Sequence, residues 1–162
     1  MDAVRLAALV LATVSTGMVA GIFYGFSISV LVTMRGVDDR TYVDLNQKIN
    51  RDIQNGRFYL VFVGAVPLQV LATVLLFGGG RGSVVLPAVL GFVVYFAAFV
   101  VTVAGNLPLV AQLDKAGARG DATAVRRRYE GPWVRLHTIR TILHTGAFGA
   151  FCWALVAFGA AS

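Results

Sequence analysis

Residues 6–34 read LAALVLATVSTGMVAGIFYGFSISVLVTM, a run without a charged side chain, closed at its ends by Arg5 and Arg35. A helix rises ~1.5 Å per residue, so roughly 20 apolar residues cross the hydrocarbon core of a bilayer and this run is long enough to do so. Three further charge-free runs follow, between Arg57 and Arg81, between Arg81 and Asp114, and after Arg140. The pattern predicts an all-α membrane protein. Its expected fold is an up-down-up-down four-helix transmembrane bundle, one domain over residues 1–162, with spans at about 4–34, 58–77, 84–107 and 133–160.

Composition points the same way. The chain is 57% hydrophobic and only 14% charged, with a mean hydropathy of +0.75, which leaves too little polar surface to coat a soluble domain. The apolar run from Val4 to Met34 is far longer than the ~7–15 residues of a signal-peptide core, so it is expected to stay in the mature chain. Cys152 is the single cysteine and lies inside the last run, which excludes a disulfide framework and a thiolate metal cluster.

The net charge of +6 is distributed as a membrane protein requires, and nucleic-acid binding is not expected. Arg35, Arg40, Lys48, Arg51 and Arg57 fall in the first connection, and Lys115, Arg119, Arg126, Arg127, Arg128 and Arg135 in the third. The opposite side offers Arg5 and Arg81. By the positive-inside rule, connections 1 and 3 are cytoplasmic and both termini lie outside the plasma membrane. The run Arg126 to Arg128 reads as an interfacial anchor against anionic lipid.

Several features interrupt the apolar pattern. Thr13, Gly17, Gly21, Gly25 and Ser29 recur every four residues in the first span, forming a flat face for close packing within the bundle or between copies in a homo-oligomer. Asp38 and Asp39 can cap a short amphipathic helix bearing Tyr42, Leu45, Ile49 and Ile53 on one side, with Asn46 and Asn50 on its flank and a turn at Asn55-Gly56. Pro67 permits a kink in the second span. Residues 78–83 allow only an antiparallel return. Gly105-Asn106-Leu107-Pro108 should end or bend the third span and place the Asn106 amide beside an unused carbonyl. The segment Lys115 to Glu130 reads as a linker, with Gly131-Pro132 opening the last helix.

From that helix, His137, Arg140, Thr141 and His144 project at offsets of 0, 3, 4 and 7, hence from one face, with Trp133 one turn earlier. An ionisable group within a span marks a functional site unless it snorkels to the headgroups. The two histidines are ~10.5 Å apart along one helix, so a single chain cannot grip one haem between them. No set of three or four convergent metal ligands is present, and no carboxylate sits deep in a span as proton-coupled transport would require.

The chain resembles the anthrone oxygenase-like family of small integral membrane proteins. The segments that carry the likeness are AGIFYGFS at residues 20–27, residues 50–58, TVAGNLPL at 102–109 and WVRLHTIRT at 133–141. It departs at Asn55-Gly56, where members often have Asn-Pro, and at Val110, where a second asparagine often follows. The resemblance implies a four-helix membrane protein, some of whose relatives use molecular oxygen to convert polyketide anthrones to anthraquinones with neither metal nor flavin.

For such chemistry His137 is the expected base, Asn50, Asn106 and Arg140 the expected stabilisers of phenolate and peroxide oxygens, and Trp133 and Tyr24 the expected stacking partners of a flat, apolar aromatic substrate arriving from lipid. Thr102 and Thr141 complete the expected binding set, and His144 is given no role. Transport, haem binding in a dimer and a non-catalytic membrane subunit are the alternatives.

Overall fold

The computed structural model describes residues 1–78, 82–117 and 121–161. Residues 79–81 of the short return, Arg81 among them, and Arg119 of the third connection lie outside these. The described residues form helices and no strand. Four helical stretches, Asp2–Met34, Gly56–Phe77, Gly82–Ala116 and Ala122–Ala160, are long and apolar enough to cross a membrane.

The first stretch is α1 (Asp2–Gly25), a π-turn at Phe26–Val30 and α2 (Leu31–Met34). Helix α3 (Asp39–Ile53) is the amphipathic connection, capped as its sequence predicts by Asp38, whose carboxylate accepts from the Thr41 N–H. The second stretch is α4 (Gly56–Phe62), capped by the Asn55 side chain, and α5 (Ala65–Phe77). Pro67 has no N–H for the Val63 carbonyl, which accepts from Val66 instead, and the helix breaks there. The third is α6 (Gly82–Val101), a π-turn at Thr102–Asn106 and α7 (Leu107–Gly117).

One expectation is narrowed and another corrected. Of the two outcomes expected at residues 105–108, the segment does not end the third helix but breaks its regularity. The missing proline N–H is absorbed by widening the preceding turn, so that Leu107 donates to the Thr102 carbonyl and the helix runs on to Gly117. Gly131-Pro132 does not open the last helix either. Helix α8 (Ala122–Ala160) starts earlier, where Asp121 accepts from the Thr123 N–H, and its charged first turns are held by Arg126 donating to Glu130 at 2.8 Å.

The four spans form a square in which each packs on its neighbours in sequence and α8 closes back on α1. Alanines and glycines make the close approaches: Ala8, Ala12, Ala72, Ala88 and Ala154 are buried together at one end, and Gly91 leaves no room for a β-carbon between α6 and the Phe151 ring. Of the glycine stripe in α1, only Gly17 faces a neighbour, the Phe148 ring; Gly21 and Gly25 have open space, so the stripe is not one continuous packing face. Buried polar ties replace hydrophobic drive between helices in lipid. Gln69 donates to Thr16 at 2.8 Å, and the Tyr95 hydroxyl donates to the Phe62 carbonyl at 2.6 Å.

Beyond that Tyr95 bond α4 leaves the third span, and α3 lies across the widened end, packed on α7 and the first turns of α8. A polar latch holds α3 there. Arg126 donates to the Val37 carbonyl at 2.8 Å and to Asp39 at 3.1 Å, with its guanidinium 4.3 Å from the Tyr42 ring centroid. Thr123 donates to Asp39 at 2.6 Å; that hydrogen bond, with Arg126 adding to it, holds the Asp39 carboxyl below its ordinary value.

Candidate functional site

The parting of α4 from the third span leaves a cavity of about 200 Å³ under the end of α3. Its wall is aromatic, built from Phe23, Phe26, Phe58, Phe62, Phe99 and Trp133, and His137, Arg140, Asn50 and Thr102 supply polar groups. The volume, about 200 Å³, is below the ~300–1,000 Å³ of pockets for drug-sized ligands, which favours a compact guest. Ile22, Tyr59, Val63, Val103 and Leu107 border the cavity while exposed on the apolar outer surface of the bundle, so the cavity opens toward lipid.

Both π-turns flank this cavity. On the first span the Ser27 hydroxyl bonds back to the Phe23 carbonyl at 3.0 Å within such a turn, which turns Phe26 inward. On the third, Thr102 begins the other turn and bonds back to the Ala98 carbonyl at 3.0 Å.

His137 is 2% exposed and clamped on several sides. The Trp133 ring stacks on it at 5.1 Å and 10°, while Phe26 and Phe23 tilt against it at 5.1 and 5.7 Å. Its Nε2 lies 3.0 Å from the Ser27 hydroxyl, which is itself 3.3 Å from Thr141. Thr141 donates to the His137 carbonyl at 2.9 Å and Ser27 to that of Phe23. The two hydroxyls and the imidazole thus form one connected polar network.

Arg140 is 6% exposed, borders the cavity and has no carboxylate partner among the described residues. Its guanidinium carbon sits 4.7 Å from the Phe23 ring centroid, and its Nε has no hydrogen-bond partner there. A buried cation without a counter-ion is costly, and it makes the cavity a receptor for negative charge.

The structure thus brings His137, Arg140, Asn50, Trp133 and Thr102 to one cavity. Asn106 and Thr141 are buried beside it and do not border it; neither end of the Asn106 amide has a hydrogen-bond partner among the described residues. Tyr24 is a correction. It is 57% exposed on the outer surface, because the ~100° advance per helical residue that turns Phe23 inward turns its successor away. His144 does not meet His137 at a shared ligand position. It is fully buried in a box made by Phe23 (4.9 Å, stacked), Tyr95 (4.8 Å) and Phe62 (5.9 Å). No cluster of three or more His, Cys, Asp or Glu able to hold a metal occurs among the described residues.

Sequence reasoning missed the phenylalanine wall. The pairs Phe23/Phe26 and Phe58/Phe62, spaced three and four apart, carried the signal of a shared face. Ser27 was also missed as the partner of His137, and nothing local could reveal it, since 110 residues separate the two.

No curated protein matches the chain, and no solved structure matches it. A protein-family model described as anthrone oxygenase matches residues 57–150 of the 162, more than half of the chain. The matched region contains Thr102, Asn106, Trp133, His137 and Arg140.

Proposed function

The chain belongs to the anthrone oxygenase family, and from that membership we propose that it is a membrane-embedded oxygenase which binds a flat, apolar anthrone-type aromatic in the cavity under α3 and oxidises it with molecular oxygen. The observation that carries the reading is Arg140, a buried cation on an aromatic-walled cavity with no carboxylate beside it among the described residues. A ligand that becomes an anion during reaction supplies the missing charge.

In this reading His137 removes a proton from the methylene carbon between the two aromatic rings, and the ketone oxygen becomes a phenolate beside Arg140. The carbanion gives one electron to O2, and the resulting superoxide and carbon radical combine at that carbon to form a peroxide anion. The His137 imidazolium returns its proton to the outer oxygen. Loss of the remaining C–H proton, with cleavage of the O–O bond, leaves a second carbonyl and releases water. One oxygen atom ends in the carbonyl and the other in water, so the substrate supplies all four electrons.

Trp133 and Phe26, in contact with ring centroids 5.6 Å apart, offer aromatic surface to the ligand, and Thr141 and Ser27 hold the imidazole. No haem or flavin is needed. The distribution of Lys and Arg supports a plasma-membrane topology with α3 and the start of α8 on the cytoplasmic side and both termini outside.

The test is oxygen uptake by purified protein with an anthrone in detergent. The expected stoichiometry is one O2 per anthraquinone formed, and His137→Gln is expected to lower the rate by about 10²–10⁴ with folding retained. A folded His137→Gln protein with the wild-type rate overturns the base assignment, and a wild-type protein that gives no product overturns the oxygenase reading.

A further inference from the structure

The cavity contains a second polar feature whose sense is opposite to that of Arg140. Asn50 reaches it from α3, and its amide nitrogen lies 2.8 Å from the Asn46 carbonyl oxygen. A carbonyl oxygen can only accept, so this contact fixes which end of the amide is nitrogen. The same nitrogen donates to the Tyr129 hydroxyl oxygen at 3.2 Å, and both its hydrogens are thereby used. Oδ1 has no hydrogen-bond partner among the described residues. Asn50 therefore presents an acceptor to the cavity and cannot serve as the oxyanion donor its sequence position suggested.

Resting on the aromatic-ligand reading above, we infer that Asn50 is a specificity residue whose Oδ1 accepts a hydrogen bond from a neutral hydroxyl on the ligand, and that Tyr129 is the positioning residue that holds the amide in place by engaging its second N–H. Tyr129 is suited to the task. It is buried, stacked on Trp133 at 5.9 Å, and rooted in the early turns of α8 against which α3 is latched. The two polar features then divide the ligand's oxygens by charge: Arg140 takes the one that ionises, and Asn50 takes one that keeps its proton. A ligand lacking that hydroxyl leaves Oδ1 unpaired in a largely apolar enclosure, which disfavours it.

The probes are anthraquinone and its monohydroxy isomers, which do not react with oxygen, used below the pKa of the hydroxyl. Binding is read from quenching of Trp133 fluorescence in a Trp153→Phe background, since the chain has 2 tryptophans. At least one isomer is expected to bind about tenfold more tightly than anthraquinone, the size of one buried hydrogen bond. Asn50→Leu should erase that preference, with anthraquinone gaining affinity as the unpaired acceptor is removed, and Tyr129→Phe should reduce it. If every isomer binds no better than anthraquinone, or the preference survives in Asn50→Leu, the inference is overturned and the aromatic-ligand reading stands. If Asn50→Leu loses anthraquinone as well, Tyr129→Phe decides, and an undiminished preference there overturns the inference. Failure of the wild type to bind any of these compounds overturns both.

Discussion

At the scale of single residues, Arg140 separates stability from function. Its burial without a carboxylate partner among the described residues opposes folding, while the same arrangement makes the cavity attract an anion. Replacing it by methionine keeps the unbranched stem and removes the charge. Arg140→Met is expected to raise stability by about 1–3 kcal/mol, read from thermal unfolding in micelles, and to lower the oxygenation rate by roughly 10²–10³. A variant that is less stable than wild type would mean that the guanidinium finds a counter-ion in the folded protein. Much of this residue-level picture was legible beforehand. The spacing of His137, Arg140, Thr141 and His144 on a helix admits only one shared face, and all four are buried. Asn50 was not legible in its true sense, because residue spacing does not reveal that its amide nitrogen is committed to the Asn46 carbonyl and to Tyr129, 79 positions away.

At the scale of elements, three of the four spans depart from regular helix around the site. Spans one and three widen into π-turns and span two breaks at Gly64. Proline announced the departures at Pro67 and Pro108; the one at Phe26–Val30 was silent, since serine back-bonding leaves no equally strong local signature. The early start of α8 was hidden for a related reason. Its first turns are charged and apolar patterning is weak there, while their helicity rests on the Asp121 cap and contacts to α3. Two glycines test the geometry of the break. A β-carbon at Gly64 runs into the Leu60 carbonyl oxygen, whereas one at Gly21 meets open space. Gly64→Ala is expected to cost about 1–3 kcal/mol and to weaken ligand binding, because relief of the clash straightens the span and narrows the cavity. Gly21→Ala should gain about 0.5–1 kcal/mol from helix propensity alone. Comparable unfolding temperatures for the two variants would contradict the break as described.

At the scale of the whole molecule, the fold was the most readable level because a bilayer leaves few solutions: charge-free runs of sufficient length become helices, and short or amphipathic connections make them antiparallel. What the pattern could not supply is where the square of helices closes and where it opens. That depends on alanines meeting at one end, on the Tyr95 bond to Phe62, and on α3 being latched by Arg126 across the other end. The central claim is that the resulting lipid-side cavity is a receptor for a flat aromatic that carries negative charge. An experimentally determined structure with a hydroxylated anthraquinone bound tests it most directly. The account predicts the ring system between Trp133 and the phenylalanine wall, with one ligand oxygen about 2.7–2.9 Å from the Arg140 guanidinium. A map in which Arg140 instead pairs with a protein carboxylate or a lipid headgroup, with the cavity closed by side chains, would contradict it.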